Sequence, residues 1–348
     1  MSTPSTPLVS SGRFRAYAQF IAAVLYYFIA RILARHSAQG LAAEQWAPLL
    51  EQALLAFLLL LGYAGLGYTL DRQAHPLSAQ GWPPRPGWPG ETGLGLALGW
   101  ALALVCVLPL TVAGGIAIRI ATGRYAWGWL LADAAFFALL ALVEEFAFRG
   151  YGFQRFAFVV GPIGASLGFA AFYGIVQALR PGSSRASVMV SVALSLVLSA
   201  AYVRTRALWM SWGLNFGWKA SRALLFGLTI GGVTSHSPVV QGDPMGPFWL
   251  TGGGFGLDGS WVTFVVLLAA IPVVFRLTRD LDFKYNAPVI VAAGIPVDLD
   301  AAARRQHEAA MGPAEPAAPV LVQILPVASP LPIAVQSQAD AGGHSRQG

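Results

Sequence analysis

Two segments of the chain place ionisable side chains inside long apolar runs. WGWLLADAAFFALLALVEEFAFRGYGF carries Asp133, Glu144, Glu145 and Arg149, and LWMSWGLNFGWKASRALLF carries Asn215, Lys219 and Arg222. Burying a charge in hydrocarbon costs about 2.5 to 3.5 kcal/mol per group even on insertion scales, so such residues gather around polar pockets and mark function. On a helix, Glu145 precedes Arg149 by four positions, the favoured order for an ion pair. Glu144 is turned by about 100° from Glu145 and lacks that partner, which leaves it to face the bundle interior with Asp133 on nearly the same face. A carboxylate with no counter-charge in hydrocarbon takes up a proton readily, as a general base does. The same residues admit another arrangement. Lys219 lies one turn after Asn215, and its ammonium can pair with Glu144 to make a structural clasp between the two segments.

The elements that hold these residues are membrane helices. The chain has 348 residues, 56% hydrophobic and 11% charged, with a mean hydropathy of +0.60; soluble domains carry about 25% charged residues. Runs of the length needed to cross a bilayer fall at roughly 16–35, 46–70, 93–119, 127–148, 160–179, 187–203, 207–228 and 260–277. The fold class is therefore all-α, a polytopic transmembrane helical bundle of about eight spans. A polar tail over 1–14 precedes a membrane domain over 15–281, and the first run reads as a retained span rather than a signal peptide. Residues 282–348 are Ala/Pro-rich, too broken by proline to span, and are expected to be disordered. The segment 71–92 holds five prolines and two tryptophans and reads as a loop lying on the headgroups; 229–259 is a long Gly-rich connection without Lys or Arg. Eleven basic residues fall on the side of the N-terminus and six on the other, which predicts both termini in the cytoplasm.

Several function classes are excluded or disfavoured. The net charge of +6 comes from 20 Arg and two Lys placed mostly at run ends, a pattern of membrane topology rather than of nucleic-acid binding. The single cysteine, Cys106, rules out an internal disulfide or a Cys-rich metal site. Gly254 to Gly259 fits G-x-G-x-x-G but follows an aromatic loop with no strand before it, so a dinucleotide site is not expected. Gly95 and Gly99 read as a close helix contact, and Trp127, Trp129, Trp209, Trp212 and Trp261 as interface anchors. None of the histidines, His36, His75, His236, His307 and His344, falls inside a run, and His236 reads as a solvated loop residue.

Glu144-Glu145-Phe146-Ala147-Phe148-Arg149-Gly150 resembles the Glu-Glu-x-x-x-Arg signature of the CAAX protease and bacteriocin-processing family of intramembrane endopeptidases, also called the Abi family. SLGFAAFYGIVQA resembles its second motif, Phe-x-x-x-His, with Phe169 at the Phe position and Tyr173 at the histidine. RTRALWMSWGLNFGWKA resembles its third, His-x-x-x-Asn after a Leu-Trp pair, here Leu208 and Trp209, with Asn215 and Lys219 at the histidine and asparagine. GPFWLTGGGFGLDGS is similar to the loop that many members carry before their last span, so the likeness covers roughly residues 90 to 275.

The resemblance implies hydrolysis of a peptide bond in a membrane-associated peptide or protein substrate, in the cytoplasmic membrane of a bacterium. In the family, the first glutamate and the histidines bind or orient the attacking water. Carried over, Glu144 is the base, Glu145 and Arg149 fix the helix, and Asn215 or Tyr173 donates to the oxyanion. Both imidazoles are replaced, and carboxylates alone suit zinc poorly, so neither a metal nor another cofactor is expected. Besides membrane lipids, the expected partner is the substrate. The clasp supports a second reading, a catalytically silent relative that binds a peptide or lipid-linked ligand. A small-solute transporter is a third, although no internal repeat of the transporter kind is visible.

Overall fold

A computed structural model describes residues 7–281 except 122 and 124, together with 289–290 and 296–297. Eight main helices are present among the described residues: α1 (Pro7–Leu41), α2 (Ala47–Leu70), α3 (Trp88–Val112), α4 (Ala126–Arg149), α5 (Tyr151–Ala178), α6 (Arg185–Thr205), α7 (Leu208–Ala220, continued by a π turn Ser221–Leu225) and α8 (Trp261–Leu277). Each apolar run of the sequence corresponds to one of them, with 93–119 and 207–228 running past the helix ends, and the result is a helical membrane bundle. Five stretches are long and apolar enough to cross a membrane: 12–41, 47–70, 88–112, 126–178 and 185–205. The fourth joins α4 and α5, separated only at Gly150, whose ψ of −143° breaks the helix. A second break lies inside α5 at Gly161, with φ 82° and ψ 164°, immediately before Pro162.

Two expectations are corrected. The run 93–119 does not stay helical to its end. Gly114, at φ 75°, ends α3, and the β-branched Ile116, Ile118 and Ile120 form a strand, β1 (Ile116–Ile120). It pairs antiparallel with β2 (Val240–Pro244) from the Gly-rich connection, Ile116 opposite Pro244 and Ile120 opposite Val240. The segment 71–92 is not only a loop. It contains a single helical turn, Pro76–Ala79, and the start of α3, because Pro76 and Pro89 stand in first turns where no backbone N–H is needed.

Helix α6 is the enclosed element, with Ala193, Val197 and Ala201 fully buried. Its start is fixed by a capping box in which the Ser184 and Ser187 side chains each accept from the other's backbone N–H. Helices α3 and α7 touch backbone to backbone. A Cβ on Gly95 would lie 2.2 Å from the Met210 carbonyl, and one on Gly213 would lie 2.3 Å from that of Thr92, so glycines on both helices permit the approach. A second core, on α1, α2, α4 and α5, is aromatic and includes Tyr63, Phe146, Tyr151, Phe153 and Phe169. The Gly-rich connection is held to α7 by Arg222, whose NH1 lies 2.7 Å from Asp258 Oδ1, while Gly231 N donates to Asp258 Oδ2 at 2.9 Å.

The chain divides into two compact units, 1–287 and 288–348. Of the second, a short antiparallel pair is described, β3 (Val289–Ile290) with β4 (Pro296–Val297). The remainder of the expected disordered tail, and residues 1–6 of the polar N-terminal tail, lie outside the described residues.

Candidate active site

Helix α4 packs against α7, and this contact brings the two charged segments together. Arg149 NH1 donates to Glu145 Oε1 at 3.0 Å, both groups buried, as the four-residue spacing dictates. The other arm of Arg149 reaches α6, where NH2 donates to the Ser195 carbonyl at 3.2 Å. Glu144 points toward α7, and Lys219 Nζ donates to its Oε2 at 2.7 Å. Asn215 links the two acids, Nδ2 donating to Glu144 Oε2 at 3.0 Å and to Glu145 Oε1 at 3.1 Å, while its own Oδ1 accepts from Lys219 at 2.7 Å. Two carboxylates, one guanidinium and one ammonium thus form a charge-balanced network in which Asn215 uses both ends of its amide. An ion pair of this burial is held by its extra hydrogen bonds as much as by Coulomb attraction, and removing one partner strands the others.

One edge of the network is open. The Glu144 side chain retains 15% exposure against 6% for Lys219, and it lines a cleft of about 100 Å³ with Tyr173. Tyr173 stands there edge-on to Phe148, ring centroids 4.8 Å apart. The rest of the cleft is supplied by Tyr27 and Arg31 of α1, Glu51 and Gln52 of α2, and Arg180 just past α5. Arg31 NH1 donates to the Tyr27 hydroxyl at 2.9 Å. These α1, α2 and Arg180 contributions were not singled out in the sequence. Glu51, an acid within the apolar helix α2, was the available signal. The cleft therefore extends from Glu144 toward the end of the bundle where α1 meets α2.

The geometry can bind a small polar group between a carboxylate oxygen, a phenol and an arginine. A metal does not fit the same place. Lys219 Nζ fills the position between Glu144 and Asn215 that a cation would take, and among the described residues no three His, Cys, Asp or Glu side chains come together.

Asp133 is not part of this centre. It is buried near the start of α4, where Ser237 N donates to its Oδ2 at 2.7 Å and His236 Nδ1 lies 3.0 Å from Oδ1. His236 is exposed in the loop, as expected, and is in addition a partner of this buried acid; its ring stacks on Trp129, which stacks in turn on Trp46. Trp209 is buried and Trp212 half-buried: Trp209 packs against Trp82 and Trp88, and Trp212 Nε1 donates to the Ala138 carbonyl at 3.0 Å. Trp127 and Trp261 are exposed.

Residues 125–221 match the family described as Type II CAAX prenyl endopeptidase Rce1-like. The matched segment runs from the start of α4 to the end of α7 and contains Glu144, Glu145, Arg149, Tyr173, Asn215 and Lys219, so the resemblance seen in the motifs is borne out over this part of the chain. No curated protein and no solved structure gives a match.

Proposed function

We propose that this chain, Rce1-like over residues 125–221, is a membrane-embedded endopeptidase that hydrolyses a peptide bond of a membrane-associated substrate. The observation that carries this reading is that Glu144 is the partly exposed carboxylate of the network while Glu145 is fully buried: Glu144 Oε2 is held by Lys219 and Asn215, and the side chain opens on the cleft beside Tyr173. A water on the cleft side of Glu144 gives its proton to that carboxylate as its oxygen attacks the peptide carbonyl. Tyr173 or Lys219 donates to the developing oxyanion, and the proton passes to the leaving amine. Glu145 and Arg149 hold the backbone of α4 in register with α6 and α7 without touching substrate. With both termini in the cytoplasm, the reading adopted from the arginine distribution, the cleft opens toward the opposite face.

A second reading is favoured by the 2.7 Å contact between Lys219 and Glu144. A carboxylate neutralised by an adjacent ammonium serves as a clasp between α4 and α7, and the cleft then binds a peptide without cutting it. Reconstituted full-length protein with membrane-tethered reporter peptides separates the two. Cleavage by the wild type that Glu144→Gln removes, without a change in folding, supports the enzyme; peptide binding with no cleavage supports the clasp.

A further inference from the structure

A groove of about 700 Å³ between α5, α6 and α8 takes no part in the centre described above. Its walls are apolar and include Phe153, Ile163, Leu196 and Ile271, and one end carries Arg204 and Arg206. The break at Gly161 and Pro162 opens it, by turning the first part of α5 away from the second and leaving Ile163 exposed at the rim.

The two arginines are set by the fold. Arg204 Nε donates to Thr278 Oγ1 at 2.6 Å and NH2 to the Phe275 carbonyl at 3.2 Å, with the guanidinium over the Phe275 ring. Arg206 ends α6 in the left-handed conformation, φ 50°, where glycine is the usual residue, and its side chain is exposed. Four residues after Phe275, just past the end of α8, the chain carries Arg279, with Asp280 the acid beside it. From Leu196 to Arg204 the helix rises about 12 Å, close to half of the roughly 30 Å hydrocarbon thickness. The groove therefore has the depth of one leaflet, an apolar length and a cationic end, within the roughly 300–1,000 Å³ typical of ligand sites.

We infer that this groove binds an anionic phospholipid of the adjacent leaflet, one acyl chain lying along Phe153, Leu196 and Ile271 and the phosphate between Arg204 and Arg206. Charge complementarity selects the headgroup, and the groove's depth selects a lipid over a soluble anion.

The test is native mass spectrometry of the full-length protein released from nanodiscs of equal phosphatidylcholine and phosphatidylglycerol. Phosphatidylglycerol is expected to be retained in preference. Arg206→Gln is expected to lower that preference about fivefold, the equivalent of about 1 kcal/mol for one basic group near the surface. Ala200→Phe, which fills the groove, is expected to abolish retention, with Ile163→Trp at the exposed rim serving the same purpose where Ala200→Phe does not fold. Millimolar inorganic phosphate is expected to leave the bound lipid in place. Equal retention of the two lipids, retention unchanged in Arg206→Gln and in a groove-filling variant that folds, displacement by phosphate, or recovery of a bound peptide or a dimer instead of lipid would each overturn the assignment.

Discussion

Helix α4 carries one acid near its start and two near its end, and the two ends are satisfied by different means. Near its start, Asp133 is served by the connection after α7, through a backbone N–H and the His236 ring. Near its end, Glu145 is served by Arg149 one turn on in the same helix, and both Glu144 and Glu145 by side chains of α7, Lys219 for Glu144 and the Asn215 amide for both. A backbone donor fixes a loop to a helix and leaves nothing over. A ring of side chains can leave one oxygen facing a cleft, and that difference separates a structural anchor from a site.

The contrast is broken most severely at Arg149. With Glu145 fully buried and no other cation among the described residues bonded to it, Arg149→Ala is expected to destabilise the fold by about 3 to 5 kcal/mol, read by denaturation in detergent; a change below about 1 kcal/mol would mean that Arg149 neither neutralises Glu145 nor ties α4 to α6 through Ser195. Lys219→Met comes next, at about 2 to 3 kcal/mol, because the stranded Glu144 still reaches the cleft. Adding Glu144→Gln to Lys219→Met is expected to recover most of that loss, and additive losses in the double variant would contradict a direct pair. At the other end, Asp133→Ala removes the acceptor of the Ser237 N–H and is expected to cost about 2 kcal/mol. His236→Ala should cost about 1 kcal/mol, with faster hydrogen exchange confined to the connection after α7. A larger loss of stability at His236 than at Asp133 would reverse the roles assigned to the two residues.

The helical half of this arrangement was legible in the sequence because spacing encodes it. A spacing of four positions from Glu145 to Arg149 puts them within reach on one helix, and Asn215 and Lys219 share a face for the same reason. The meeting of Lys219 with Glu144 was conceivable only once the two helices were allowed to touch, since no local rule sets the rotation of α4 against α7. His236 went unread as a partner of Asp133 because a glycine-rich connection has no period to project, and its path is set by tertiary contacts such as Arg222 with Asp258. Arg31 and Glu51 were missed because the motifs lie elsewhere in the chain, and α1 and α2 reach the cleft only through packing. The end of α3 was overrun for a simpler reason: Ile116, Ile118 and Ile120 are as apolar as a span, and only the preceding glycines mark the change to a strand.

The central claim is that Glu144 presents a working carboxylate to the cleft. Its most direct measurement is the cleavage rate of membrane-tethered peptides by full-length protein in vesicles, wild type against Glu144→Gln, with thermal unfolding followed in parallel. The account predicts a fall of about 10²-fold or more with the fold retained. Equal rates in the two proteins would contradict it.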